Sequence, residues 1–262
     1  MRITVETLAA IAGERADRAN MNSIVAGLER RGVELGLDLP HRQAHYLAQI
    51  AHESGGFCFD REVWGPSLAQ QRYDTRTDLG NTPERDGDGF LFRGRTGIQI
   101  TGRANTVAFR DWCRTQALNP PDFERDPDAM LTDPWEGLGP LWYWSTRALN
   151  RYADENDIEM ITKRINGGLN GYADRIALYT RAALVLLGLP ADDVRRFQGQ
   201  NGLAVDGIAG PRTRAALHTE LSALSRQQPR DYAEEGQGGT PTAVASFSGL
   251  LAALLAALFK RS

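Results

Sequence analysis

Apolar residues recur at helical spacing along most of residues 1–188. Thr4 is placed to cap a first helix, with Glu6 in its first turn. Met21, Ile24, Val25 and Leu28 follow the i, i+3, i+4, i+7 pattern, which predicts a helix ending near Gly32. Pro40 suits the first turn of a third helix, whose buried stripe is Ala44, Leu47, Ala48 and Ala51 and whose stop is Gly55-Gly56. Ala108, Phe109, Trp112 and Cys113 form another stripe, broken by Asn119-Pro120-Pro121. Pro134 opens a helix bearing Leu138, Leu141, Trp142 and Leu149, and its Trp142-Tyr143-Trp144 run reads as core. Ile158, Ile161, Thr162 and Ile165 make a further helix. Alternation appears only in Ile98-Gln99-Ile100-Thr101. Residues 65–90, rich in glycine, proline and charge, read as a long loop over a cleft; Trp64 and Tyr73 there are sugar-stacking or core residues. The pattern predicts a mainly α protein.

The chain has 262 residues, of which 42% are hydrophobic and 24% charged, enough for one packed domain and an appendage. A net charge of −3 gives no electrostatic case for nucleic acid. Arg93, Arg95, Arg103, Arg110 and Arg114 cluster in sequence and suit either an anionic polymer or a solvated helix face. Two isolated cysteines, Cys58 and Cys113, read as buried free thiols rather than a disulfide scaffold. His41, His45 and His52 share one helix without a His-Glu-x-x-His pattern, so they read as structural or solvent-facing, and neither metal nor cofactor is expected. The first residues lack the apolar stretch of a secretory signal, which predicts synthesis in the cytoplasm.

The chemistry centres on two glutamates. Glu53 ends the third helix, where unpaired carbonyls disfavour negative charge and Phe57 adds an apolar neighbour, as suits a proton donor. Glu62 follows the double glycine. Glycosidic cleavage uses such a pair, one to protonate the leaving oxygen and one to activate water, although most glutamates near helix ends are simply solvated.

The order of motifs resembles family 19 of the glycoside hydrolases, the chitinase-related lysozymes. His52-Glu53-Ser54-Gly55-Gly56 matches the catalytic segment, and Gly94-Arg95-Thr96-Gly97 followed by Gln99, Thr101 and Asn105 matches a second signature, with Thr96 as an insertion. Ile165-Asn166-Gly167-Gly168 and Asp174-Arg175-Ile176 match the third and fourth. The resemblance implies a lysozyme-like α+β fold with a helical, two-lobed catalytic domain and an inverting reaction. It makes Glu53 the general acid, Glu62 the general base and Thr101 a holder of the attacking water. It makes His52, Gln99, Asn105, Asn166 and Arg175 substrate-side residues, Arg175 orienting a catalytic carboxylate. Simpler readings stand beside these: a strand position for Gln99, a cap for Thr101, a helix end for Asn166 and a surface position for Arg175.

Leu189-Pro190 marks a boundary. The run from Val194 to Thr213 resembles half of a peptidoglycan-binding module, with Phe197, Gln198, Asp206 and Gly207 as its signature residues. It is either a wall-binding element or a packing appendage, and it is too short to fold alone. The expected divisions are 1–188 catalytic domain, 189–224 partial module, 225–241 linker and 242–262 apolar tail. The tail runs uncharged from Ala243 to Phe259 before Lys260-Arg261, which predicts a tail anchor, an interfacial helix or an aid to reaching the inner membrane, unless it packs on the body. Together these predict an endolysin whose partner is the peptidoglycan glycan strand and whose place of action is the cell wall. Chitin hydrolysis and a non-catalytic wall-binding role are the alternatives.

Overall fold

The computed structural model describes residues 1–13, 16–63 and 65–227, with side chains described as far as residue 224. The fold is helical and is built around one helix, α3 (Pro40–Glu53). Ala44, Tyr46, Leu47, Ala48, Ile50 and Ala51 bury its apolar sides. His41, His45, Gln49 and Glu53 recur every fourth residue, so they line one face, and all four are buried as well. A helix buried all round needs polar partners for such a stripe. These come from α10 (Tyr172–Leu186), which packs along α3, and from the neighbouring α8 (Asn150–Asp154) and α12 (Pro211–Gln227).

The polar seam begins with His41, whose Nε2 lies 2.9 Å from Asp154 Oδ1. His45 stacks on Tyr179 at 4.3 Å between ring centroids, and its Nε2 donates to Asn156 Oδ1 at 3.2 Å. Burial, helped by the nearby His218, lowers the His45 imidazole to about 3, so it stays neutral. The structural reading of these two histidines holds.

Helix α1 (Val5–Ala12) is capped by Thr4 as expected. Helix α2 (Arg18–Gly27) continues as a π-helical turn, Leu28–Gly32, and stops where the periodicity predicts. It crosses α7 (Trp135–Thr146) backbone to backbone. A Cβ built on Gly137 would lie 1.8 Å from the Ser23 carbonyl oxygen, and one on Gly27 would lie 2.3 Å from the Gly137 oxygen. Trp142 and Trp144 are core residues as read, with Trp144 edge-on to Tyr46 at 5.5 Å.

A second group of elements carries the remaining chemistry. Residues 65–90 are not a plain loop, contrary to expectation. They contain α4 (Leu68–Tyr73), a 3-10 turn (Thr77–Leu79) and α5 (Asp88–Leu91), knitted by Asp88 to Arg103 of α6 (Arg103–Thr115) at 2.7 and 2.8 Å. Tyr73 is buried, which settles it as core, while Trp64 lies outside the described residues. Among the described residues the β component consists of two bridges, Arg61 to Arg95 and Arg95 to Ile100. Gln99 is accordingly not a strand residue. It sits in the turn between Arg95 and Ile100 with φ +56°, and Thr96 shares that conformation at φ +64°.

The arginine cluster also departs from the polymer-binding reading. Arg95 pairs with Asp128 at 2.6 Å, Arg110 with Asp122 at 2.6 Å and Arg114 with Asp111 at 2.9 Å, so these cations are matched within the chain. Cys58 and Cys113 are free thiols, though only Cys113 is buried.

After α9 (Ile158–Asn166) and α10, the chain forms α11 (Val194–Gln200) and then α12, whose Leu217 and Leu221 are fully buried against the body. Among the described residues no helix is long and apolar enough to cross a membrane. The sequence expectations for residues 228–262, most of the linker and all of the tail, lie outside the described residues.

Two outcomes follow from the α2–α7 crossing. Gly137→Ala must push the helices apart, and we expect a loss of at least about 2 kcal/mol, read from the urea unfolding midpoint. Glu136 sits at the same crossing, where Ser23 Oγ lies 2.9 Å from both Asp133 Oδ1 and Glu136 Oε2. One hydroxyl hydrogen serves one carboxylate, so a protonated Glu136 completes the set. Burial first, then the charges of Asp60, Asp133 and Asp17, push Glu136 up to about 7 against the Ser23 hydrogen bond. A raised folded-state value stabilises fully below the ordinary value near 4.5 and is lost as pH rises through about 7. Glu136→Gln should therefore abolish that loss, seen as a parent-minus-variant difference in unfolding midpoint between pH 5 and pH 8; an unchanged difference would contradict it.

Candidate active site

Glu53 is the last residue of α3, and its side chain is wholly buried. The turn beyond it is fixed locally. Ser54 Oγ donates to the Ile50 carbonyl at 2.7 Å and accepts from Phe57 N–H at 2.9 Å, while Gly55 and Gly56 take φ of +62° and +78°. Only glycine enters that region freely, which explains the double glycine.

A buried carboxylate requires a counter-charge. Arg175, on the first turn of α10 and equally buried, supplies it: Nη2 donates to Glu53 Oε1 and Nη1 donates to Gln49 Oε1. The guanidinium fork is thus split between two side chains one turn apart on α3. Arg175 is therefore buried against the Glu53 carboxylate and is not a surface residue. Gln49 was missed by sequence reasoning. The signal was available, since the fourfold spacing of His41 and His45 continues through Gln49 to Glu53.

His52 packs at the start of α10, where its Nδ1 is 2.6 Å from Asp174 Oδ2. Gly171 allows this approach, because a Cβ there would fall 2.2 Å from His52 Cε1. Asn166 ends α9 buried, accepting from Asn170 Nδ2 at 3.3 Å, with Gly167 left-handed after it. The adjacent Ile165 carbonyl accepts from Tyr143 Oη at 3.2 Å. Burial raises the Tyr143 hydroxyl, Arg147 opposes this from 3.4 Å over the ring, and the Glu53 charge adds to the rise.

Glu62 comes from the other group of elements. Its N–H donates to the Gly94 carbonyl at 3.0 Å, beside the Arg61–Arg95 bridge. Tyr73 lies close: burial and then the Glu62 charge raise its hydroxyl, partly offset by Arg76. Oε2 of Glu53 and Oε1 of Glu62 are both buried and, among the described residues, have no hydrogen-bond partner. Each carboxylate therefore keeps one oxygen free of partners among the described residues.

The second signature holds the hairpin to which Glu62 is attached. Thr101 Oγ1 donates to the Gln99 carbonyl at 2.9 Å, Gln99 Nε2 donates to the Thr96 carbonyl at 3.3 Å, and Asn105 Nδ2 donates to the Thr101 carbonyl at 2.9 Å. All three side chains are engaged with backbone. The wall-module residues also turn inward. Phe197 and Gln198 are buried, and Gln198 Nε2 donates to Asp206 Oδ1 at 2.8 Å while its Oε1 accepts from Gly207 N–H at 2.8 Å. These four build the turn; Val205 and Ile208 are the apolar side chains it exposes. Among the described residues no group of histidine, cysteine or acidic side chains is arranged to hold a metal.

Several known proteins resemble the chain in sequence or in fold. The chain is 36% identical over 169 residues to a glycosyl hydrolase family 19 domain-containing protein of Haemophilus influenzae, an alignment covering 55% of this chain and 79% of that protein. It is 30% identical over 127 residues to an endochitinase of Arabidopsis thaliana, covering 48% of this chain and 38% of the endochitinase. Chitinase C from Streptomyces griseus has the same fold, with a TM-score of 0.54 at 18% identity over 72% of this chain and 78% of that one. A class IV chitinase of Zea mays superposes with a TM-score of 0.50 at 16% identity, covering 72% and 94%. Residues 191–217 match the peptidoglycan binding domain family. The likeness to the Haemophilus influenzae protein defines a glycoside hydrolase. The chain belongs to glycoside hydrolase family 19 and carries a peptidoglycan-binding element beyond its catalytic body.

Removing the counter-charge should be costly. Arg175→Met leaves Glu53 buried and unpaired, and we expect a loss of about 3 to 5 kcal/mol in denaturant unfolding. The double variant with Glu53→Gln should regain part of that loss. Equal effects of the single and double variants would mean the pair is not coupled.

Proposed function

We propose that the protein is an endolysin-type hydrolase that cleaves the β-1,4 glycosidic bonds of peptidoglycan with inversion, degrading the cell wall and lysing the host cell. The buried Glu53–Arg175 pair carries the catalytic reading, because it holds one carboxylate in a fixed direction at a helix end. In this reading a water attacks the anomeric carbon from the face opposite the leaving group. Glu62 takes a proton from that water, Glu53 gives the departing glycosidic oxygen a proton carried on Oε2 while its Oε1 stays on Arg175, and the carbon–oxygen bond breaks. Thr101 already donates its hydrogen to Gln99, so toward the water it would act as an acceptor. His52, Gln99, Asn105 and Asn166 would line the sugar path. The match over residues 191–217 supports peptidoglycan as the polymer, and the site of action would be the wall. Membrane contact through the tail belongs to the same proposal.

Chitin is the second reading, favoured by the likeness to an endochitinase and to chitinase structures. Mass spectrometry of peptidoglycan and of chitin after digestion separates the two. We expect wall fragments with reducing ends, and a fall of about 10²- to 10⁴-fold for Glu53→Gln and for Glu62→Gln. Fragments one water lighter would remove Glu62 from the mechanism. Cleavage of chitin alone would move the substrate to chitin, and a fully active Glu53→Gln would overturn the catalytic assignment.

A further inference from the structure

A cavity of about 400 Å³ lies where the wall-binding element meets the catalytic body. Its body side is formed by Glu155, Asp157, Glu159 and Tyr172, and its other side by Pro211 and Arg214 of α12. Both α12 residues lie inside the segment matching the peptidoglycan binding domain family. The volume is that of a small-ligand site.

The charges around the cavity are not equivalent. Asp157 is used as a helix cap, accepting from Met160 N–H at 2.8 Å. Glu159 is paired with Lys163 at 2.6 Å. Among the described residues no side chain pairs with the Glu155 carboxylate. Facing it from the other part of the chain, Arg214 is held at the wall by donation of Nη1 to the Ala209 carbonyl at 2.7 Å, while the Arg214 carbonyl accepts from Asn156 Nδ2 at 3.4 Å. Tyr172 adds a half-buried ring. The site thus offers one unmatched carboxylate, one oriented guanidinium and an aromatic surface.

This set selects a ligand class. A neutral sugar needs neither charge. A polyanion is repelled by three carboxylates, and a simple amine leaves the guanidinium unused. A short peptide with a free ammonium and a free carboxylate satisfies both groups at once. We propose that this cavity binds the stem peptide of peptidoglycan through a diamino acid, its side-chain ammonium on Glu155 and its carboxylate on Arg214. The proposal rests on peptidoglycan being the substrate, and it gives the contact between wall and appendage a location at the junction rather than on the turn of residues 203–208.

The test is calorimetric titration of the full chain with the free tripeptide L-Ala-γ-D-Glu-diaminopimelate. We expect saturable binding, weakened at least about tenfold by Glu155→Gln and by Arg214→Gln, and equally by acetylating the side-chain amine of the peptide. Glu155 is exposed and ends a short helix, so its variant should fold; near-UV circular dichroism checks both variants. Absence of binding to the parent would overturn the proposal, as would binding that neither variant weakens. Hydrolysis of peptide-free glycan strands by the parent reports on the substrate reading separately. A parent that cleaves those strands but ignores the tripeptide would sink the cavity assignment alone.

Discussion

The guanidinium of Arg175, sealed between Glu53 and Gln49, is the interaction on which the site depends. A carboxylate with no solvent contact costs several kcal/mol unless it is paired and hydrogen-bonded. The pairing exists only if α3 and α10 keep one register. Tyr179, one turn beyond Arg175, stacks on His45, and Gly171, one turn before it, lets His52 approach the helix start. Slipping either helix by one residue would break the ion pair, the ring stack and the His52–Asp174 contact together. The Glu53 end of α3 and the packing of the body are therefore one constraint.

The second carboxylate is held by different means. Glu62 hangs from the backbone of a hairpin whose hub is Arg95. This residue bridges to Arg61 on one side and Ile100 on the other, and its guanidinium donates to the Leu91 and Arg93 carbonyls and to Asp128. Thr96 and Gln99 take left-handed conformations to close the turn, a local cost that the surrounding bonds offset. One carboxylate rests on helix packing and the other on a hydrogen-bonded turn.

Much of this was legible in the sequence, for specific reasons. The stripes of α2, α3 and α9 were readable because each repeats over at least two turns, and so was that of α7 except for Leu149, which lies past the helix end at Thr146 and precedes α8. Arg175 could be linked to a carboxylate only through resemblance, since 122 positions separate it from Glu53. The short helices within residues 65–90 were invisible because three to six residues carry no periodicity. Gln99 misled for a related reason: four alternating residues describe a strand no better than a tight turn closed by Arg95 and Ile100. The arginine cluster looked available because partners such as Asp128 lie 33 positions away. In the wall element, Gln198 was legible as a signature residue, but the role of its amide as the internal brace of the turn was not.

The seating of α12 has a consequence for how an appendage of this kind can work. Leu217 and Leu221 are buried in the same core as α3 and α10, so the element is built into the enzyme rather than carried on a leash. A tethered module raises the local concentration of substrate and lets the catalytic unit sample many bonds around each anchoring point. A fused one cannot sample. Any grip that α11 and α12 take on a polymer sets the strand at one distance and one angle from Glu53. With a grip of that kind, the spacing of successive cuts would be set by the fold itself.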